Sequence, residues 1–596
     1  MLRILQKRSP SFGLRFRSLH DLRIRNSLLS NPETNLSFLS LDKEKGRNSP
    51  RTLSWYSCGP TVYDVSHLGH ARTYVSTDAI RRILQSYFGI TIDFAMGITD
   101  IDDKIIARAK ESESGQGDNT TWNEMISYGK QYETSFFKNM DELGVQRPNA
   151  VLRVSEHMPE IELYVEKLLN GNAAYHVDGM GAYFDVKQLT DESYGQLGSL
   201  PPNSLSTDQS KPTDDHSNSN SIGNNSKNNN SKRYFRDFSL WKIAKTGEPS
   251  YTSTKLGDGR PGWHIECSAI TNSYFGSNLD IHSGGIDLKF PHHTNEIAQS
   301  EAYNRLTSAD TSISSLPWVK LWLHTGHLYI DGSKMSKSLK NFISIDEYFN
   351  SSKSPYPAID FRIFCLSHKY HSSLHYSSER IHEAGVLRER LVNVIDICQL
   401  FTKNKNRRSG GGKPSTASRA LTKELQSCQQ EMRGWLCDDF NTPAVLQALN
   451  SLAGQAIQYS NTHLMNTDAA DAHPIEPIVA TANFIEETCS MMGIDFSVTN
   501  NSNSNSNSNK NNDNNNGNGN GNDEAQIMSA LLDFRSQARE AALNGVKSKD
   551  PNDSHSKIAC DTVLKLCDNF RDVVAPNMGY QLKDVGDTTL VTRTKK

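Results

Sequence analysis

The sequence predicts an α/β protein: a parallel-sheet domain carrying an insertion, followed by a helical bundle and a small C-terminal domain. Three observations predict it. Strand-like and helix-like stretches alternate between residues 52 and 111, the strand signal fades after about residue 346, and two polar low-complexity tracts, 199–232 and 498–522, break the pattern. A chain of 596 residues is too long for one hydrophobic core, so several domains are expected.

The elements follow in order. TLSWYSCGPTVYD, from Thr52, begins as a strand and ends in a Gly-Pro turn; a helix follows over 71–85, with Ala79, Ile80, Ile83 and Leu84 on one face. GITIDFAMG, from Gly89, is a β-branched and aromatic run and reads as a second strand. TDIDDKIIARAKE reads as a helix with acidic residues in its first turn, where the helix dipole favours them. Strand–helix–strand–helix at this spacing implies a parallel sheet, whose ligands bind in the loops at the carboxyl ends of the strands. Helical segments such as ERIHEAGVLRERLVNVIDICQLF dominate 378–492, and a last compact piece begins near Glu524. The Asn/Ser/Gly tracts bury no apolar surface to offset chain entropy and are expected to stay outside any packed core.

Composition excludes some classes. The net charge is −3, which argues against a uniformly basic nucleic-acid binder but allows local basic patches. No apolar run reaches eighteen residues, so no membrane span is expected. Nine cysteines without regular spacing read as reduced thiols, some of them candidate metal ligands. MLRILQKRSPSFGLRFRSLH is basic and serine-bearing, with no acidic residue before Asp21, the composition of an organellar transit peptide; mitochondrion is preferred to plastid or a dual location with the cytoplasm.

HLGHAR, from His67, opens the first helix. The helix start offers backbone N–H groups to phosphate oxygens, Gly69 leaves room for a flat base, and His67 and His70 can donate to a polyphosphate. Two surface histidines at a helix start are the alternative. KMSKS places Lys334 and Lys337 three apart in a polar loop that can close over a triphosphate by positioning and charge neutralisation. Cys58 ends the first strand, Cys267 lies in GWHIECSAI, and His292 and Glu296 are four apart in FPHHTNEIAQSE, on one face of an expected helix. Zinc accepts all four ligand types. Without a CxxC pair, spacing alone favours the alternative, isolated core cysteines and a solvated His/Glu pair.

HLGH and KMSKS together resemble the nucleotide-binding signatures of class I aminoacyl-tRNA synthetases. The blocks CGPTVYD…HLGHART, ITDIDDKII, RPGWHIECSAI, HSGGIDLKFPHHTNEIAQSEA, KMSKSLKNF and DDFNTP, in that order, resemble cysteinyl-tRNA synthetase of the bacterial and organellar type from about residue 22 to 492. The resemblance implies a Rossmann-like catalytic domain that activates cysteine as its adenylate, with Mg²⁺ accompanying ATP, and then charges tRNA(Cys). It implies one zinc on Cys58, Cys267, His292 and Glu296, with His293 a neighbour. It implies ATP binding by His67, Gly69, His70, Gly285, Asp287 and Lys337, catalytic roles for His67, His70, Lys334 and Lys337, and substrate contacts from Thr73, Thr99, Trp263 and Asp287. Core packing is the alternative for Trp263, and helix N-capping for at least one of Asp100, Asp102 and Asp103. Gly97 stands where the family usually has Asn, so a side-chain contact is lost there.

A zinc ion would read sulfur directly, since shape alone separates near-isosteres by only about 10²-fold, whereas soft thiolate is a strong zinc ligand. The domains implied are a transit segment (1–21), the two catalytic halves (22–150 and 241–345) around a connective insertion (151–240), a stem-contact region and helical bundle (346–497), a linker (498–523) and an anticodon-binding-like domain (524–596). In the last, Arg535, Arg539, Lys547 and Lys549 are candidate phosphate contacts. A monomer is expected. Alternatives are a cysteine ligase with an amino-sugar acceptor, which lacks such a tail, and a catalytically silent tRNA-binding protein, against which the intact motifs argue.

Overall fold

The computed structural model describes residues 23–27, 33–35, 52–112, 120–198, 200, 232–307, 317–330, 333–334, 342–403, 415–464, 474–496, and 535, 538, 563–574, 580–585 and 588–593. The transit-like segment, nearly all of both polar tracts, Lys337, Arg539, Lys547 and Lys549 lie outside the described residues. The chain divides into two compact units: 1–389 with 427–450 and 487–494, and 390–426 with 451–486 and 495–596.

In the first unit, β1 (Arg23–Arg25) and β2 (Glu33–Asn35) pair antiparallel. Then come β3 (Thr52–Thr61), α1 (Leu68–Ser86), β4 (Thr91–Thr99), α2 (Asp103–Glu111), α3 (Trp122–Glu142), β5 (Ala150–Arg153) and α4 (Met158–Asn170). The insertion is a four-stranded antiparallel sheet, β6 (Ala174–Val177), β7 (Gly181–Phe184), β8 (Phe238–Ile243) and β9 (Gly259–Pro261), with the single turn α5 (Asp191–Tyr194). The chain returns through α6 (Trp263–Phe275), β10 (Leu279–Gly285), α7 (Thr294–Thr307) and β11 (Val319–Thr325) to the main sheet.

That sheet is wholly parallel, ordered β11-β10-β3-β4-β5. Numbered by their order in the chain, the strands run 5-4-1-2-3, a doubly wound arrangement whose order reverses between β3 and β10. Its strands are buried on both faces, as helix-covered parallel sheets must be: Trp55, Phe94, Ile281 and Leu321 on one face and Tyr56, Ala95, His282 and Trp322 on the other are all buried. Helix α1 buries Leu68, Ala71, Val75, Ala79, Ile80, Ile83 and Leu84, a stripe at helical spacing.

A second, three-stranded sheet follows: β12 (Leu328–Ile330) between β13 (Ser333–Lys334) and β14 (Leu374–Tyr376). Helices α8 (Ile345–Ser351) and α9 (Pro357–Leu366) lie between β13 and β14 in the chain, and α10 (Ser378–Lys403), α11 (Thr416–Cys437), α12 (Thr442–Tyr459) and α13 (Glu476–Met491) follow. In the second unit β15 (Tyr580–Val585) and β16 (Thr588–Arg593) form an antiparallel hairpin. No helix among the described residues is long and apolar enough to cross a membrane.

Two expectations need correction. The helix expected from TDIDDK starts later, at Asp103, because β4 runs on to Thr99; Asp102 is the cap, accepting from the Lys104 N–H at 2.8 Å. Arg535 is buried, and its Nε donates to the Cys567 carbonyl at 2.9 Å. A guanidinium spent inside the fold is not a phosphate contact.

Candidate active site

The carboxyl ends of β3, β4, β10 and β11 open into a cavity of about 460 Å³. Its lining includes Cys58, Cys267 and His292, with Trp263 and Thr99, and also His67, Gly69 and His70, with Thr73, Gly285 and Asp287. Cys58 lies near the carboxyl end of β3, three residues before Thr61 ends the strand, and Cys267 lies on the second turn of α6. His292 is in an irregular turn, Lys289–His293, and not on the helix itself; the chain is already helical at Thr294, so the four-residue spacing to Glu296 on α7 survives.

The four side chains converge. Their donor atoms lie within 4.8 Å of one another, and all four residues are buried. Cys58 Sγ is 3.9 Å from Cys267 Sγ and 3.9 Å from Glu296 Oε1, which is 3.0 Å from His292 Nε2. His292 Nδ1 is turned away toward His264 Nδ1 at 3.0 Å, which orients the ring. The cluster's hydrogen bond with Cys58 draws the Cys267 thiol down to about 6, against its burial. Burial opposes ionisation of Glu296, yet His282 and His292 hold its carboxyl at about 2. Burial likewise opposes charge on His292, but Glu296 and Cys267 raise it to about 10, whereas burial first and Cys267 second push Cys58 up. The cluster therefore favours the ionised forms of Cys267 and Glu296 beside a protonated His292. Two sulfurs, one imidazole nitrogen and one carboxylate oxygen are a set that fits zinc.

A second set shares two of these residues: Cys58, His282, His293 and Glu296. His282 Nε2 is 2.9 Å from Glu296 Oε2, and His293 Nε2 is 3.4 Å from Cys58 Sγ. His293 Nδ1 pairs with His324 Nε2 at 2.8 Å, and burial pushes both imidazoles below their usual range, His324 to about 3. Neither His282 nor His293 reaches the cavity lining. His282 and His264 were missed in the sequence: nothing in LDIHSGG or GWHIEC signals which histidines point inward.

The HLGH end departs from expectation. The first-turn N–H groups of α1 are already used: Leu68 N–H donates to the Ile343 carbonyl at 3.0 Å, and Gly69 and His70 N–H to His67 Nδ1 at 3.1 and 3.4 Å. The His67 N–H in turn donates to His70 Nδ1 at 3.4 Å. With both Nδ1 atoms accepting, each ring carries its proton on Nε2. The imidazoles stack, centroids 3.9 Å apart. The backbone amides of the helix start are thus occupied within the protein, and it is the two histidine side chains that line the cavity.

Trp263 is half-buried at the start of α6 and stacks on His292, centroids 4.5 Å apart, so it lines the cavity instead of packing the core. Thr99 Oγ1 donates to Glu266 Oε2 at 3.2 Å, and Thr73 Oγ1 accepts from Thr325 Oγ1 at 3.0 Å. Glu266 was also missed; burial, then the nearby Cys267, lifts its carboxyl well above the usual range. A Cβ on Gly285 would stand 2.5 Å from Asp287 Oδ1, so glycine there lets the Asp287 carboxylate fold back over the strand end. Lys334 is placed through its backbone, which pairs with Tyr329 across β12 and β13.

Residues 45–386 match the family described as tRNA synthetases class I (C) catalytic domain. The chain is 37% identical over 573 residues to "Cysteine--tRNA ligase, cytoplasmic" of Dictyostelium discoideum, covering 96% of this chain and 77% of that one. It is 33% identical over 555 residues to "Probable cysteine--tRNA ligase, mitochondrial" of Xenopus tropicalis, covering 91% and 86%. Among solved structures, Mycobacterium tuberculosis methionyl-tRNA synthetase bound by methionyl-adenylate is similar at a TM-score of 0.50 and 13% identity, over 74% of this chain and 90% of that one, a likeness of fold alone. The family match and the extent of identity to these relatives place the chain in the cysteinyl-tRNA synthetase family of class I tRNA synthetases.

Proposed function

We propose that the protein joins L-cysteine to tRNA(Cys) with ATP, through a cysteinyl-adenylate. One observation carries the reading: a single cavity is lined both by Cys58, Cys267 and His292 of the buried cluster and by the stacked His67 and His70.

In this reading Cys58, Cys267, His292 and Glu296 hold one zinc. They are preferred to the set with His282 and His293 because three of the four face the cavity, where a substrate can reach them. Zinc bound there would supply a soft Lewis acid that prefers a substrate thiolate to the hydroxyl of serine. Trp263 walls the pocket for the cysteine side chain, and Thr73 and Thr99 offer hydroxyl oxygens to its polar groups. The Thr99 proton points to Glu266, which leaves lone pairs for a substrate ammonium. Gly285 and Asp287 take the nucleoside. His67 and His70 donate through Nε2–H, and Lys334 and Lys337 add charge, as negative charge builds on the phosphates; Mg²⁺ accompanies ATP. A cysteine carboxylate oxygen attacks the α-phosphorus, the bond to the bridging oxygen breaks, and pyrophosphate leaves. The terminal ribose hydroxyl of the tRNA then attacks the carbonyl carbon, losing its proton as AMP departs. The helical region and the C-terminal domain bind tRNA.

The test is cysteine-dependent ATP–pyrophosphate exchange on purified protein, with zinc measured on the same sample. Exchange stimulated by no amino acid would defeat the reading. A Cys58→Ser, Glu296→Ala double variant should lose its zinc, and full occupancy would remove the proposed site. The basic, acid-poor N-terminus supports service in an organelle; residues 1–21 fused to a fluorescent protein should direct it to mitochondria, and a uniformly cytosolic signal would refute this.

A further inference from the structure

Arg72 closes the HLGHAR motif, and its side chain is fully buried. Among the described residues its hydrogen-bond partners include no carboxylate; the one ionisable group bonded to it is the Cys365 thiol, which burial pushes up to about 11. A guanidinium taken out of water without a counter-charge is costly, so its hydrogen bonds must do something specific. Nη2 gathers three backbone carbonyls from one loop: Lys369 at 3.3 Å, Tyr370 at 3.2 Å and Ser372 at 2.9 Å. Nη1 reaches back to Ser76 Oγ at 3.5 Å.

The same loop grips the cavity wall. The Tyr370 carbonyl that accepts from Arg72 also accepts from Gly326 N–H at 2.9 Å. A Cβ on Gly326 would stand 2.2 Å from the Ser372 carbonyl oxygen, so strand and loop meet backbone to backbone. Leu374 N–H donates to the His327 carbonyl at 2.9 Å and starts the parallel pairing of β14 with β12. On its other edge β12 pairs with β13, setting Tyr329 opposite Lys334, the first residue of KMSKS. The far side of that motif is tied to HLGH directly: Ile345 N–H donates to the Ser66 carbonyl and Leu68 N–H to the Ile343 carbonyl, each at 3.0 Å. HLGHAR therefore holds the exit of the KMSKS segment through its own backbone and the entrance through Arg72.

We propose that Arg72 is a positioning residue for ATP, holding the HLGH helix and the strand that leads into KMSKS in one frame so that both motifs meet the triphosphate at a set separation. The proposal rests on reading those motifs as the ATP site. Lysine keeps the charge, but its shorter side chain ends before the point where Nη2 meets the three carbonyls, and it has no second nitrogen to reach Ser76 Oγ. A displacement of about 1 Å at a reacting centre costs about 10²-fold in rate. Arg72→Lys should therefore raise KM for ATP and lower kcat in exchange, each about 10-fold, while KM for cysteine stays within about 2-fold of wild type. A role in folding alone would reduce only the active fraction, lowering apparent kcat with both KM values unchanged.

Tyr370→Phe supplies a gentler version. It removes the bond from the Tyr370 hydroxyl to Asp439 Oδ1, 2.9 Å, which restrains the loop from its other side, and should raise KM for ATP by a smaller factor. Wild-type ATP kinetics in a folded Arg72→Lys protein overturn the proposal; if that variant does not fold, an unchanged KM for ATP in Tyr370→Phe does so. His70→Ala and Lys337→Ala separate the two levels. If neither impairs ATP use, the reading of the ATP site falls; if both do and Arg72→Lys does not, only the role of Arg72 falls.

Discussion

Gly97 shows how one position changes meaning once its neighbours are known. Read as a departure from the Asn usual in the family, it marked a lost contact. In the sheet it is paired with Cys58, and the pleat brings Tyr56, two residues before Cys58, to the same face. A Cβ on Gly97 would stand 1.9 Å from the Tyr56 hydroxyl oxygen and 2.8 Å from Cζ. The space is filled by a phenol from the adjacent strand, and Tyr56 is fully buried against the rigid sheet. Gly97→Asn, which restores the family's usual residue, should therefore destabilise the protein by about 1–3 kcal/mol through overpacking. Thermal unfolding checks this, and an unchanged or higher Tm would show that Tyr56 yields easily. It should also weaken binding at the proposed zinc site, because the displaced ring lies beside Cys58 and Cys267; retention of added zinc against a chelator would be measured in parallel. The same limit governed the rest of the site. Cys58, Cys267, His292 and Glu296 could be singled out because thiols and an i,i+4 His/Glu pair are distinctive. Glu266, His282 and His264 could not, since their importance comes from burial and from partners on other strands.

At the scale of elements the three aspartates of TDIDDK were alike in sequence and differ in the fold. Asp102 caps α2, and Asp100 accepts from the Ser155 N–H at 2.9 Å. Asp103 joins α2 to the inserted sheet, meeting Lys242 at 2.8 Å and Arg260 at 2.7 Å. Its side chain keeps 34% exposure, so the pair is worth less than the 3–5 kcal/mol lost on breaking a fully buried one; about 1–2 kcal/mol is expected. Burial opposes the charge on Asp103, but Lys242 and Arg260 prevail and hold its carboxyl below the usual aspartate value. A depressed folded value stabilises the fold above the unfolded pKa, about 3.9, and the contribution is lost as pH falls through the lower folded value. Asp103→Asn should lower the urea midpoint at pH 7, with the gap to wild type narrowing below about pH 4; a gap independent of pH would assign the loss to packing. Element boundaries were partly legible. The helix expected over 71–85 forms as Leu68–Ser86, extended because the His67 ring caps it, a use of histidine that no spacing announces. His292 sits in a turn ahead of α7 because Phe290 is extended, which interrupts the helix that the His/Glu spacing suggested.

For the molecule as a whole, the parallel sheet and the helix-rich region beyond it were legible because alternation and its disappearance are coarse, repeated signals. The C-terminal piece was not, because basic side chains in and just beyond a polar helical stretch look alike in sequence whether they face solvent, phosphate or protein. Arg535 answers this for itself: Nε bonds the Cys567 carbonyl, and Cys567 Sγ lies 3.8 Å from the Arg535 carbonyl, a reciprocal clasp inside the second unit. Arg535→Ala should therefore act by unfolding the C-terminal piece, leaving a buried carbonyl without its donor at about 1–3 kcal/mol, and not by removing one phosphate contact. The cavity and both nucleotide motifs lie wholly within the first unit. Removing residues 524–596 should thus spare cysteine-dependent pyrophosphate exchange while impairing charging of tRNA(Cys), chiefly through KM for tRNA. Charging assayed over a range of salt adds a second readout: a tail that meets phosphates steepens the salt dependence, and its loss should flatten it. Unaffected charging with an unchanged salt slope would leave recognition of tRNA to the helices before the Asn-rich linker and remove the tail from the proposed function.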